Sequence, residues 1–351
     1  MLPARLVRGF KLFLLLCISS LFLVLFSEVV SKKTTLNQRQ LTLLDIDNNY
    51  AEFVTVRDAL QNKSSVFEKR AAAVSAPMLA NTTEKRQFPY KYFVNCSQKC
   101  RDFRENEILL MVVVTSAVGN ALLRQAIRET WASDSTISGY RVLTVFLLAR
   151  SNDTDLEKSV ALETHQYNDV IIGDFVDSYR NLTIKTLMIF KWIIEFCPQT
   201  TFVMKADDNS YVNLKNVARY LLGGRRKNFV SGLIKVQGSV DRKPSSKWYL
   251  PKELYPEKNY PPYPDGPGYV MSTDVARRLY NISFYVDYLP IEDIYVGICL
   301  KKLGINPIMD RNVFNAYSPR SYAKLSELTI KHPVRVHEMY IIWEYLKKLQ
   351  R

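Results

Sequence analysis

From residue 108 onward two kinds of hydrophobic pattern alternate, and that alternation restricts the fold more than any other feature of the chain. Residues 108–116 read ILLMVVVTS, a short apolar run rich in β-branched side chains and closed by polar ones. Such a run predicts a strand buried on both faces. A helical segment with LLRQAIRETW follows, with Asn120 as its expected N-cap. The pattern then repeats: a strand at 142–149, a helix at 155–167, a strand at 170–175, a helix at 182–196 and a strand at 201–205. This β-α-β-α-β-α-β order predicts an α/β domain around a mostly parallel central sheet. In such sheets ligands bind outside the carboxyl ends of the strands, and the strand at 201–205 runs directly into Asp207-Asp208-Asn209. Beyond residue 223 a short strand is expected at 229–233. Helices are expected at 273–280 and after Pro290. Between them, residues 248–269 hold six prolines and six aromatic residues and read as a stiff loop. No internal repeat is present.

The N-terminus sets the compartment. Residues 12–26 carry no charge, apolar character resumes at Val29 and Val30, and Arg5, Arg8 and Lys11 precede the run. Residues 12–30 are therefore expected to form a signal-anchor helix, with residues 1–11 cytoplasmic by the positive-inside rule. The competing reading, a cleaved signal peptide, also enters the secretory pathway. Residues 31–104 contain no glycine and read as a luminal stem. Leu36, Leu43 and Tyr50 at seven-residue spacing suggest a helical part within it. The domain proper is expected at 105–351. Six glycosylation acceptor sequences, at Asn62, Asn81, Asn95, Asn152, Asn181 and Asn281, fit a luminal chain. So do four cysteines outside the apolar run, Cys96, Cys100, Cys197 and Cys299, which allow three full pairings. A net charge of +14 favours anionic partners. An anchor followed by luminal acceptor sites argues against nucleic acid. Nothing in the chain decides between homo- and hetero-oligomers.

Four motifs carry chemistry. Clustered oxygen ligands at Asp207, Asp208 and Asn209 suit a hard divalent cation such as Mn²⁺ or Mg²⁺; the competing reading is a helix cap. Glu292-Asp293 opens a helix, either as charges paired with the helix dipole or as a carboxylate base facing the metal. Arg124 and Arg128 lie four apart on one helix face, as a phosphate clamp or as a salt-bridged surface. In 260–269, tyrosines offer flat faces to a sugar ring, while glycine and proline shape a loop.

Taken in order, these segments resemble the β-1,3-glycosyltransferase family (glycosyltransferase family 31), which includes β-1,3-galactosyltransferases and β-1,3-N-acetylglucosaminyltransferases. The similarity runs through Arg124-Gln-Ala-Ile-Arg128-Glu-Thr-Trp131 and from Asp174 to Thr186, then Cys197 and Lys205-Ala-Asp207-Asp208. It continues through Tyr263, Gly268-Tyr269 and Glu292-Asp293-Ile-Tyr295-Val-Gly297 to His332, upstream of Glu338-Met339. The resemblance implies a GT-A-like fold in a single-pass type II Golgi membrane protein. It also implies inverting transfer of a sugar from a UDP-sugar donor to the 3-hydroxyl of an acceptor glycan on glycoprotein or glycolipid. By that likeness Asp293 is the general base. Arg124, Arg128, Lys205, Asp207 and Asp208 face the donor. Asp207, Asp208, Asn209 and His332 hold the metal, and Tyr263, Gly268, Tyr269 and Glu292 lie on the acceptor side. The Glu-Asp pair at 292–293 resembles the galactosyl branch. The alternatives are N-acetylglucosaminyl or N-acetylgalactosaminyl transfer. Asn209, standing where the family has a third Asp, keeps a non-catalytic glycan-binding or chaperone-like protein among them.

Overall fold

A sheet of nine strands forms the centre of the molecule. The computed structural model describes residues 86–101, 109–223, 225–309 and 326–349, all within one unit spanning 77–351. The anchor segment, the heptad positions, Asn62 and Asn81 lie outside the described residues. Among the described residues no helix is long and apolar enough to cross a membrane.

In chain order the elements are β1 (Tyr92–Val94), β2 (Leu109–Thr115), α1 (Ala121–Glu129), β3 (Thr136–Ile137), β4 (Tyr140–Arg150), α2 (Thr154–Tyr167) and β5 (Val170–Val176). Then come α3 (Leu182–Phe196), β6 (Phe202–Asp207), β7 (Tyr211–Val212), α4 (Leu214–Leu222), β8 (Val230–Lys235) and β9 (Tyr263–Ser272). The rest are α5 (Thr273–Ser283), α6 (Glu292–Lys302), β10 (Ile308–Met309), β11 (Ile330–Lys331) and α7 (Val336–Lys348). The sheet order is β1-β5-β4-β2-β6-β9-β8-β10, with β3 paired to β4. Its four central strands, β5-β4-β2-β6, run parallel; β9 is antiparallel to β6 and β8. The fold is thus mixed α/β with a parallel centre.

Period-two alternation sends β2 into two cores. Leu109, Met111 and Val113 join one, packed with α3, α5 and α6. Leu110, Val112 and Val114 join the other, with α1, α4 and α7. Burial on both faces explains why the strand reads as a continuous apolar run. Helix α3 is buried almost all round, which explains its apolar LTIKTLMIFKWIIEF sequence.

Three expectations are corrected here. The 260–269 stretch is not a loop: residues 263–272 form β9, inside the sheet. Pro264 lies opposite Ile234, where the register slips between Gly232 and Ile234, a bulge that accommodates a residue with no N–H to donate. The stem does not extend to 104. Residues 86–101 belong to the folded unit, because β1 pairs with β5, Arg86 N donates to Phe284 O at 3.1 Å, and Cys100 is disulfide-bonded to Cys197. The four cysteines do not form two bridges: Cys96 and Cys299 are free and buried. Burial pushes both thiols up to about 12, and they sit on different elements, the turn after β1 and helix α6.

Of the described acceptor sequences, Asn152 and Asn281 are exposed and Asn95 and Asn181 are half-buried. Asn95 Oδ1 accepts from Ser97 N at 3.1 Å, and Asn181 Nδ2 donates to Val176 O at 2.8 Å.

Candidate active site

The strand order places the site. From β2 the chain moves outward to β4 and β5, then returns through α3 to β6 on the opposite side of β2. The ligand crevice expected of such a sheet therefore lies between the carboxyl ends of β2 and β6. Thr115 and Asp207 end those strands in register, and Thr115 Oγ1 donates to Asp207 Oδ1 at 3.1 Å.

The acids at 207–208 are not helix caps. Asn213 caps α4, its side chain accepting from Asn216 N. Asp208 Oδ2 instead accepts from Ser116 Oγ at 2.7 Å, Asn120 Nδ2 at 2.9 Å and Ala117 N at 3.3 Å, so it holds the turn after β2 in place. Asn120, the expected N-cap of α1, makes no capping bond because its amide is turned to this carboxylate.

Lys205 is the hub of the crevice. It is 2% exposed, and its Nζ donates to Asp207 Oδ1 at 2.5 Å and to Gly266 O at 2.6 Å. The same Nζ lies 3.5 Å from Glu292 Oε2. Burial by itself would lower the ammonium's pKa, but these carboxylates together outweigh it and hold the pKa above its ordinary value. Glu292 Oε1 accepts from Tyr269 OH at 2.6 Å and from Thr186 Oγ1 at 2.9 Å. The lysine thus ties the ends of β6 and β9 to the first turn of α6.

Asp293 projects from that turn beside Gly266, where an added Cβ would lie 3.6 Å from its Oδ2. Burial, then the charge of Glu292, raise its pKa to about 7. A carboxylate at a helix N-terminus ordinarily shifts down, and here Asp293 Oδ1 accepts from Ile294 N at 2.9 Å. Desolvation outweighs that bond. The half-buried carboxyl is therefore poised near neutrality, as a general base requires.

His332 arrives from elsewhere in the chain. Pairing of β11 with β7 brings it to Ser210, whose Oγ is 3.3 Å from His332 Nδ1 and donates to Pro267 O at 2.9 Å. Burial lowers the imidazole's pKa, opposed by the charge of Asp207. Asn209 contributes its carbonyl, which accepts from Val334 N at 2.8 Å.

The four expected metal ligands do not form a preassembled cage. Among the described residues no three His, Cys, Asp or Glu side chains are grouped closely enough to hold an ion. The donor chemistry still fits an ion carried in with a nucleotide. The bonds to Asp207 fall on Oδ1 and those to Asp208 on Oδ2, and a hard cation of this class commonly takes one or two carboxylates plus phosphate oxygens.

Several expected donor and acceptor contacts are corrected. Arg124 is fully buried. It donates to Glu163 through Nε and Nη2 at 2.8 and 2.6 Å and, through Nη1, to Ser116 Oγ at 2.9 Å and Ala117 O at 2.6 Å. Arg128 pairs with Glu163 and Asp169, each at 2.8 Å, and its guanidinium lies 4.0 Å from the Tyr167 ring centroid. The pair is an internal brace, because each cation already has carboxylate partners. Lys205 is likewise spent inside the protein. Tyr269 and Glu292 are buried and hydrogen-bonded to each other. Gly268 is a packing position: an added Cβ would meet Ile330 Cδ1 at 2.7 Å. Half-buried Tyr263 packs against Tyr260 and Gly297.

Two residues of the Asp174–Thr186 segment, to which the sequence assigned no role, support the site. Lys185 Nζ donates to Ser116 O at 2.7 Å and pairs with Asp177 Oδ1 at 2.8 Å, while Asp177 Oδ2 accepts from Val118 N at 3.3 Å. A lysine in the middle of so apolar a helix was the available signal; Asp177 stood out only through the family-like segment around it.

Comparison with known proteins identifies the family. The family described as Galactosyltransferase matches residues 123–311. Human β-1,3-galactosyltransferase 1 is 36% identical over 257 residues, covering 72% of this chain and 78% of that protein. Mouse β-1,3-galactosyltransferase 2 is 34% identical over 275 residues, covering 76% and 64%. Among solved structures, a 4-diphosphocytidyl-2C-methyl-D-erythritol synthase from Anaerococcus prevotii aligns over 70% of this chain and 97% of that one, at TM-score 0.36 and 11% identity, too distant to bear on function. With the family match and this identity extending over most of its length, the chain belongs to the galactosyltransferase family of β-1,3-glycosyltransferases.

Proposed function

We propose that the chain is an inverting, UDP-galactose-dependent β-1,3-galactosyltransferase with a GT-A-like domain. It works in the Golgi lumen as a single-pass type II membrane protein. The observation that carries this reading is the carboxyl of Asp293, poised at about 7 on the turn that Lys205 ties to Asp207. Asp293 takes the proton from the acceptor's 3-hydroxyl as that oxygen attacks the anomeric carbon. The C–O bond to the diphosphate breaks on the opposite face, and UDP departs with the electron pair. One base and one in-line displacement suffice, so no covalent nucleophile is needed. Asp207, Asp208 and His332 would hold Mn²⁺, which when bound supplies positive charge for the leaving diphosphate. Lys205 holds Asp207 and Glu292 in position. The brace of Arg124, Lys185 and Asp177 fixes the turn at 116–118 that lines the crevice.

The test is a panel of UDP-sugars against simple β-linked acceptors, with linkage analysis of the product. Galactose joined β-1,3 is the expected result, with activity lost in EDTA and restored by Mn²⁺. No product and no donor hydrolysis with any UDP-sugar would refute the assignment. N-acetylglucosamine or N-acetylgalactosamine in the product would replace the donor but keep the reaction.

A further inference from the structure

Of the residues expected to meet the acceptor, Tyr269, Glu292 and Gly268 are buried in the support of the site, and half-buried Tyr263 packs against Tyr260 and Gly297. A different set of aromatics supplies an exposed contact surface. Tyr179 begins the 3-10 turn Tyr179–Asn181 after β5 and is 47% exposed; Trp248 is 50% exposed. Single exposed aromatics are common, but these two are coupled. Lys247 Nζ lies 4.5 Å from the Trp248 ring centroid and 5.6 Å from that of Tyr179, within range of a cation–π contact to both.

Both loops are anchored to the α6 side of the crevice. Arg180 Nη1 donates to Tyr249 O at 3.3 Å, and Tyr288 OH donates to Arg180 O at 2.8 Å. Thr183 Oγ1 donates to Leu289 O at 2.7 Å, three residues before Glu292. Arg242 clamps the far side of the Trp248 loop, donating to Leu250 O at 2.7 Å and Tyr255 O at 2.6 Å. Exposed aromatic faces on a braced backbone form a preorganised surface.

We infer that Tyr179 and Trp248, bridged by Lys247, form the acceptor subsite, on which the apolar face of the acceptor's pyranose ring stacks with its hydroxyl turned to Asp293. The inference rests on the transferase reading for the identity of that sugar as acceptor. Its position favours acceptor over donor: the surface is tied to residues 288–289, which lead into the turn bearing Asp293, whereas the donor phosphates belong at the tips of β2 and β6. Burial raises the pKa of the Tyr179 phenol, a hydrogen bond with Trp248 opposes it, and the charges of Asp293 and Asp207 both add to the rise.

The experiment measures binding without turnover. Methyl β-galactoside and methyl β-N-acetylglucosaminide are titrated against the full chain, Trp248→Ala, Trp248→Phe and Tyr179→Ala by saturation-transfer difference NMR, alongside UDP-galactose affinity and donor hydrolysis. At least one glycoside should bind the native chain. Trp248→Ala should weaken it about tenfold or more, Trp248→Phe should retain most of the binding, and UDP-galactose affinity should stay within about twofold. Because Trp248 is half exposed, circular dichroism should show an unchanged fold. No glycoside binding to the native chain, equal binding in Trp248→Ala, or a loss confined to UDP-galactose would each overturn the subsite. Glycoside binding that depends on Trp248 without any transfer would uphold the sugar platform and sink the transferase reading instead.

Discussion

Asp293, the proposed base, sits in surroundings that hold on to its proton. With a pKa of about 7, the ionised fraction grows as pH rises through neutrality. The proposed rate should therefore fall about tenfold per pH unit below that value, as a kcat/KM profile between pH 5 and 8.5 would register. Asp293→Asn should lower kcat by about 10²–10⁴-fold and leave UDP binding nearly unchanged; undiminished turnover would remove the base assignment. Glu292 supplies the largest charge effect raising Asp293. Glu292→Gln should therefore move the acid limb of the profile to lower pH, a shift that mere loss of packing would not produce. The stability effect runs the other way from the activity. A carboxyl whose pKa is raised by folding favours the native state when protonated. That contribution is full below the unfolded value near 3.8 and is lost as pH rises through about 7. Asp293→Asn should accordingly melt above the native chain at pH 8, with the difference closing toward pH 4.

At the scale of elements, α6 brings Glu292 and Asp293 to the crevice, and its close approach to β9 depends on Gly297. A Cβ there would meet Tyr263 Cβ at 2.4 Å and Pro262 O at 3.0 Å. The second contact is backbone, which cannot swing aside. Gly297→Ala should cost about 1–3 kcal/mol, measured by urea denaturation, and should reduce the proposed transfer by tilting the helix that holds Asp293. The brace under the 116–118 turn is the second structural dependence. Arg124 and Glu163 are both buried, so Arg124→Met leaves Glu163 with Arg128 as its remaining partner. Loss of a buried pair member typically costs about 3–5 kcal/mol.

For the whole molecule, the Cys100–Cys197 disulfide spans 97 residues and ties the segment at 86–101 to the end of α3. By chain entropy alone a loop near that length contributes about 4.7 kcal/mol. Cys100→Ser should lower urea stability by about 2–5 kcal/mol, and reductant should have the same effect on the native chain but none on the variant.

What sequence alone determined was local. Strand β2 and helix α3 are legible because burial on all sides forces continuous apolar composition, and the acids at 207–208 and 292–293 stand out where strand and helix termini are expected. β9 was illegible because its prolines and glycines follow loop chemistry, and only the bulge opposite them reconciles them with a sheet. The partners of charged groups were illegible for a different reason. Arg124, Lys205 and Glu292 look like ligand contacts in a linear chain, since a sequence names a charge but not what stands across from it. Strand order, the β7–β11 pairing that delivers His332, and the loops that bring Tyr179 beside Trp248 join residues up to 122 positions apart. Such pairings depend on which faces are left to bury once the sheet closes, so the tertiary structure alone could decide which polar residues support the crevice and which remain to meet a sugar.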